Sequence, residues 1–275
     1  MKKFFLPPFI LLALILLTGC DANGNLNFFS IQDDIEFGQQ LDAEILANPS
    51  EYPLLSRSAY PEVYAYVEGI MDLILQSDLI RYEDSFPWQV RIIDQDVLNA
   101  FAAPGGYLYF YTGFLSFAES EAELAGVMAH EIAHSDRRHS TENMTKVYGL
   151  QVLLSLLIGE EPGLLSEILA GLTVGASNLA FTRENEYEAD EYALRYMNSV
   201  RSTREYELRA MQEFFNRVED VYDEEGEGST LGAFFRTHPY NDDREDAMDE
   251  IWEELGAYNG EYYRAAHEAV IAQLP

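Results

Sequence analysis

Apolar residues recur along this chain mostly at helical spacing, and two short stretches alternate instead. Gln32–Ala47 and Ser58–Gln76 read as helices, the second with Val63, Val67, Ile70, Met71 and Ile74 on one face. Trp88–Ile93 alternates and is rich in β-formers, and Tyr107–Tyr111 reads as a second strand. Pro104-Gly105-Gly106, between Phe101 and Tyr107, is a tight-turn signal. Ser120–Asp136 reads as a further helix: Ser120 is a candidate N-cap, Glu121 and Glu123 fall in the first turn, and Glu123 would complete a capping box. Leu124, Val127, Met128, Glu131 and Ile132 follow at helical spacing, and the small, mostly apolar residues from Leu124 to His134 predict that this helix is buried. Met144–Ala180 is strongly apolar and is broken by Gly159-Glu160-Glu161-Pro162-Gly163, so a hydrophobic helix is expected on each side of the break. Each run is too short and interrupted for a membrane span. The pair reads as a helical hairpin that packs over the active site or touches a membrane surface, with ordinary core favoured for Leu164–Leu179. Thr203–Val218, Asp242–Leu255 and Glu261–Leu274 read as helices, and Asp223–Gly228 as a mobile loop. The expected fold class is α+β, predominantly helical, with a small β-sheet or hairpin beside the helix at 120–136.

The first residues follow a different logic. Lys2 and Lys3 precede the apolar run Phe4–Leu17, which is shorter than the roughly 20 residues of a spanning helix. Residues 1–19 therefore read as a signal peptide. Leu17-Thr18-Gly19-Cys20 resembles the lipidation box of bacterial lipoproteins, and Cys20 is the one cysteine of the chain. Lipidated Cys20 would anchor the protein stably to a membrane, with residues 20–30 as tether and 31–275 as a single domain. The expected location is the bacterial cell envelope, facing the periplasm or the extracytoplasmic side. Asp21 resembles the inner-membrane retention signal of enterobacterial lipoproteins. A lone cysteine allows no intramolecular disulfide.

Charge narrows the choice of partner. Asp and Glu number 48 against 17 Lys and Arg, for a net charge of −31. That balance argues against nucleic acid and against electrostatic docking on anionic lipid. The acid clusters at 219–227 and 242–254 read as solvated faces or turns.

The candidate chemistry lies in His130-Glu131-Ile132-Ala133-His134, which uses two of the five histidines. Two histidines four apart on a helix share a face and can hold a divalent metal, with Glu131 beside a water as general base. A catalytic zinc site takes three protein ligands and leaves one position open. The acidic segment Arg183–Glu191 can supply the third: Glu186 and Asp190 are four apart, so one can bind metal while the other holds a histidine's second ring nitrogen. A tetrahedral oxyanion needs a further donor. His238, in a His-Pro loop context, is the first candidate, and one of the 18 tyrosines is the alternative. The segment 99–111 could offer an exposed edge strand that binds extended peptide by strand addition.

Several blocks together resemble a known family. They are Asn99-Ala100-Phe101-Ala102-Ala103-Pro104-Gly105-Gly106 with Tyr107–Gly113, His130–His134 continuing to Arg138-His139-Ser140, Arg183–Asp190, and Thr237-His238-Pro239 with Arg244. In this order they resemble the gluzincin family of the CAAX prenyl protease and the HtpX heat-shock protease, especially its soluble periplasmic lipoprotein members. The resemblance implies a zincin-like core and one Zn2+ per chain, held by His130, His134 and Glu186. It makes Glu131 the base and puts Asp190 behind the ligands. It puts His238 near the metal, as a transition-state donor or a reversible blocking ligand. Asn99, Ala100, Phe101, Gly105 and Gly106 would line the substrate. The implied function is a zinc metalloendopeptidase acting on misfolded or unassembled envelope proteins. The alternative is a chaperone-like or binding lipoprotein whose zinc site is structural or blocked by His238.

Overall fold

The computed structural model describes residues 27, 29–157, 162–174, 180–225 and 232–275. The signal peptide, Cys20 and most of the tether expected at 20–30 lie outside these residues, as do parts of the break at 159–163 and of the loop at 223–228.

Ser30 caps helix α1 (Ile31–Ala47) through a reciprocal capping box with Asp33, and the helix buries Phe37, Leu41 and Ile45 at four-residue intervals. Helix α2 (Pro61–Ile74) begins with proline in its first turn, where the missing N–H costs nothing. Strands β1 (Gln89–Ile93), β2 (Ala100–Ala103) and β3 (Tyr107–Tyr111) follow. They form one sheet in the order β1-β3-β2, with β1 parallel and β2 antiparallel to β3. The β2–β3 hairpin turns at Gly105 and Gly106, whose φ of 75° and 87° suits glycine. A short helix α3 (Thr112–Phe117) leads to α4 (Glu121–Asp136).

Helix α4 is the axis of the molecule, and all of its residues are buried. Small residues permit that enclosure: a Cβ on Gly126 would lie 2.6 Å from Met211 Cβ of a crossing helix. Ser120 caps α4 as expected, accepting from Glu123 N–H. The expected capping box is not closed, because the Glu123 carboxylate reaches one residue further, to Glu119 N–H at 2.8 Å, and pairs with Arg217 at 2.6 Å.

After α4 the chain reverses at Arg138, whose φ of 65° is left-handed. The Arg138 guanidinium donates to Asp34 and to the carbonyl of Phe29, which holds the reversal in place. Helices α5 (His139–Tyr148), α6 (Leu150–Leu157) and α7 (Pro162–Val174) follow, so hydrophobic helices do flank the break. Ile168, Leu169 and Leu172 of α7 are buried. Helix α8 (Arg183–Ser199) lies against α4, as does α9 (Ala210–Glu225). Helices α10 (Gly232–Thr237), α11 (Asp242–Glu254) and α12 (Arg264–Ile271) complete the fold. The architecture is thus a predominantly helical α+β fold with a small mixed sheet. Among the described residues no helix is long and apolar enough to cross a membrane.

Candidate metal centre

Three separate segments meet on the face of α4 that carries the histidine pair. His130 and His134 come from α4 itself. Glu186 and Asp190 come from α8, whose start is fixed by a capping box between Thr182 and Asn185. That start turns Asn185, Glu186, Ala189, Asp190 and Ala193 inward, the buried face of the helix. His238 directly follows α10, its N–H donating to Phe234 O at 2.8 Å, and Pro239 ends the turn.

The geometry converges. One ligand atom each from His130, His134, Glu186 and His238 lies within 4.8 Å of the others, and all four residues are buried. His130 Nε2 is 2.9 Å from His134 Nε2 and 3.3 Å from His238 Nδ1. Glu186 Oε1 is 3.5 Å from His134 Nε2 and 3.3 Å from His238 Nδ1, and Glu186 Oε2 is 3.6 Å from His130 Nε2. Asp190 Oδ1 stands 3.0 Å behind His130 Nδ1. Glu131 points to the same space, with Oε1 at 3.4 Å from His238 Nε2.

The donor set suits a metal cation. Both Glu131 oxygens, Glu186 Oε1 and His238 Nε2 make no hydrogen bond, though all are buried. Buried acceptors without partners are costly, and a cation among them removes that cost. His130, His134 and Glu186 offer two imidazoles and a carboxylate, a set that binds zinc.

Electrostatics prepare Glu186 and His134 for a cation and leave His130 holding a proton that a metal would displace. Burial works against charge on Glu186, but Arg244 and His238, with the rings of His130 and His134 beside it, hold its carboxyl well below the usual range. Burial, and then the charge of His130, push His134 well down, so its ring is neutral as a metal ligand must be. His130 is also desolvated, yet its contacts with Asp190 and Glu186 lift it to about 9 in the metal-free protein. Glu131 is pushed up by burial, against the opposing pull of His238 and His130.

Two residues matter here that the spacing of the motif alone does not name. Arg244, fully buried, donates through Nε and Nη2 to both oxygens of Asp190 at 2.7 Å and meets Glu186 Oε2 at 2.7 Å. It also donates to Pro239 O at 2.9 Å, which ties down the turn carrying His238. Phe181 stacks on the His134 ring, centroids 3.8 Å apart and 17° from parallel.

The substrate ledge needs correction on one point. β2 is an edge strand, but it is not exposed: Asn99, Ala100, Phe101, Gly105 and Gly106 are all buried. Helices α5 and α7 cover that edge, with Ser140 Oγ donating to Ala102 O at 3.2 Å and Asn99 Nδ2 donating to Thr173 O at 2.6 Å. Phe101 stacks on Tyr109 at 4.6 Å. Gly105 lies against the backbone of α1, and Gly106 against Phe86 and Trp88.

A His-Glu-x-x-His helix completed by a glutamate from a second helix defines the gluzincin class of metallopeptidases. The chain belongs to that class as a member of peptidase family M48, whose model matches residues 61–251. It is 30% identical over 169 residues to the beta-barrel assembly-enhancing protease of Escherichia coli, covering 58% of this chain and 33% of that protein. Its counterpart in Vibrio cholerae, provisionally given the same name, is 34% identical over 169 residues, with 58% and 33% covered. The mitochondrial metalloendopeptidase OMA1 of Schizosaccharomyces pombe is 30% identical over 192 residues, 69% of this chain and 53% of that protein. The chain thus spans between 33% and 53% of the length of these relatives.

Proposed function

We propose that this chain is a zinc-dependent metalloendopeptidase in which His130, His134 and Glu186 hold the metal and Glu131 is the general base. One observation carries the reading: four buried ligand atoms lie within 4.8 Å of one another, beside a carboxylate with no hydrogen-bond partner of its own. When bound, zinc supplies Lewis acidity that polarises a scissile carbonyl and acidifies a water. Glu131 takes up a proton on a carboxylate oxygen and gives it to the leaving amine. Asp190 Oδ1, 3.0 Å from His130 Nδ1, favours a proton on that nitrogen and so leaves the Nε2 lone pair facing the ligand group. Arg244 keeps Glu186 ionised and holds both oxygens of Asp190 in place.

The substrates in this reading are misfolded or unassembled envelope proteins. Support comes from relatives named beta-barrel assembly-enhancing protease and from the lipoprotein-like start at Cys20, which would tether the enzyme to the membrane. The net charge of −31 supports a reading without nucleic acid. Purified protein should hold about one zinc, and Glu131→Gln should keep the metal while losing casein cleavage. Cleavage that survives Glu131→Gln would sink the mechanism.

A second reading rests on His238, whose Nδ1 stands among the ligand atoms. A site closed by a fourth protein ligand leaves no position for water, and the protein would then be a binding or chaperone-like lipoprotein until His238 withdraws. His238→Ala separates the cases. Faster casein cleavage marks a blocking ligand, lost cleavage marks a catalytic donor, and an unchanged, inactive protein favours the binding reading.

A further inference from the structure

His139 is buried, belongs to no ligand group, and takes no part in the chemistry above. It is the first residue of α5, directly after the left-handed Arg138. Because Asp34 and the Phe29 carbonyl pin Arg138, α5 starts with His139 aimed back at α4. His139 Nδ1 lies 2.9 Å from His134 Nδ1, and His139 Nε2 lies 3.2 Å from Glu188 Oε2.

Proton counting fixes the roles in this chain of groups. His134 turns Nε2 toward His130 Nε2 and Glu186 Oε1. A ligating ring nitrogen must present a lone pair, so a neutral His134 carries its proton on Nδ1. Two Nδ1 atoms at 2.9 Å can share only one proton. His134 Nδ1–H therefore donates, and His139 Nδ1 accepts. A neutral His139 then carries its proton on Nε2, where the Glu188 carboxylate receives it. In the reverse assignment, His139 Nδ1–H would drive the His134 proton onto Nε2, into the ligand group. Phe181, stacked on His134, leaves the ring little freedom to escape by rotation.

We propose that His139 is a positioning residue for the metal ligand His134, selecting its ligating tautomer, and that Glu188 in turn orients His139. His130 is oriented by a carboxylate directly, through Asp190, whereas His134 is oriented by a carboxylate through an intervening imidazole. The inference rests on the reading that His134 binds metal.

Two measurements on the full chain test it. In zinc-loaded protein labelled with 15N-histidine, the ring nitrogen shifts should show a protonated His134 Nδ1 and a bare His139 Nδ1. A proton on His139 Nδ1 overturns the proposal, whatever any variant does. The second is zinc affinity by competition with a chelator, comparing H139N with H139L. Asparagine and leucine have nearly the same shape, but only asparagine keeps an acceptor close to the Nδ1 position. H139L should weaken zinc binding by about 10- to 100-fold, and H139N should recover most of that loss, with both metal-free variants unfolding at similar urea concentrations. Equal losses in the two variants, or none in H139L, would overturn the proposal. Failure of the wild-type protein itself to take up zinc would instead defeat the reading on which it rests.

Discussion

At the scale of single residues, the site depends on an arginine more than on any of its ligands' neighbours. The Arg244 guanidinium meets both buried acids of α8. Replacing it by methionine nearly keeps the volume and takes the guanidinium from Glu186 and Asp190; removing one side of a buried ion pair costs about 3–5 kcal/mol. We expect Arg244→Met to lose stability of that order in the metal-free protein. The loss should shrink when zinc is added, because the cation meets Glu186; urea unfolding with and without zinc measures both. The histidine pair and the Glu186–Asp190 pair were legible in the sequence because each is a local four-residue spacing on one helix. The Arg244–Asp190 pair was not, because its members are 54 residues apart and only the docking of α11 on α8 joins them. A second residue-scale prediction concerns His267, remote from the metal centre. It is buried, donates to Ala118 O at 2.8 Å and faces the Tyr66 hydroxyl at 3.0 Å. Burial lowers its pKa from the ordinary 6.5 in spite of the Ala118 carbonyl. Below pH 6.5 the unfolded chain therefore binds a proton that the folded chain refuses, so this contribution to stability is present above that pH and lost as pH falls. The urea midpoint of wild type should fall between pH 7.5 and 5.5 by more than that of His267→Gln.

At the scale of elements, the enclosure of α4 sets the precision of the centre. Gly126 lets α9 approach so closely that an added Cβ would meet Met211 Cβ at 2.6 Å. Gly126→Ala overpacks that crossing, at a cost of about 1–3 kcal/mol, and should also weaken zinc binding because the same helix carries both histidines. The added methyl should cost less in a Met211→Gly background, and a double-mutant cycle in urea reads the difference. Helix periodicity made α1, α4 and α11 legible, and Ser120 marked the start of α4; Ser30 and Asn241 cap the other two in the structure. Other elements depend on distant partners. β2 is Ala100-Phe101-Ala102-Ala103, with no alternation, and is a strand because it pairs with β3. The helix expected from Thr203 begins instead at Ala210, because Tyr206 is held in a bridge to Glu261, with Gly260 packed on the Tyr206 carbonyl. The cover over β2 was likewise out of reach: burial of the ledge is a property of α5 and α7 in place, not of the strand's own sequence.

At the scale of the whole molecule, the centre works as a clasp between parts of the chain far apart in sequence. His130 and His238 are 108 residues apart, yet their ring nitrogens come within 3.3 Å. An unfolded chain offers no such group, so a metal that binds the folded state stabilises it through mass action. At free zinc 1,000-fold above the dissociation constant the gain is about 4.1 kcal/mol. For domains of 150–250 residues each kcal/mol moves the melting temperature by about 2–4 °C, so chelation should lower it by roughly 10 °C. Salt should act separately: with a net charge of −31, self-repulsion opposes compaction, and added monovalent salt should raise the melting temperature of metal-free and metal-loaded protein alike. The two effects are distinguished by Glu186→Gln, which takes the charge from one ligand but changes the overall charge by a single unit. That variant should lose most of the zinc-dependent shift and keep the salt-dependent one, measured by calorimetry across zinc and salt concentrations. A zinc response that survived Glu186→Gln unchanged would mean that the metal is held elsewhere, and that the clasp between α4, α8 and the turn after α10 is closed by protein contacts alone.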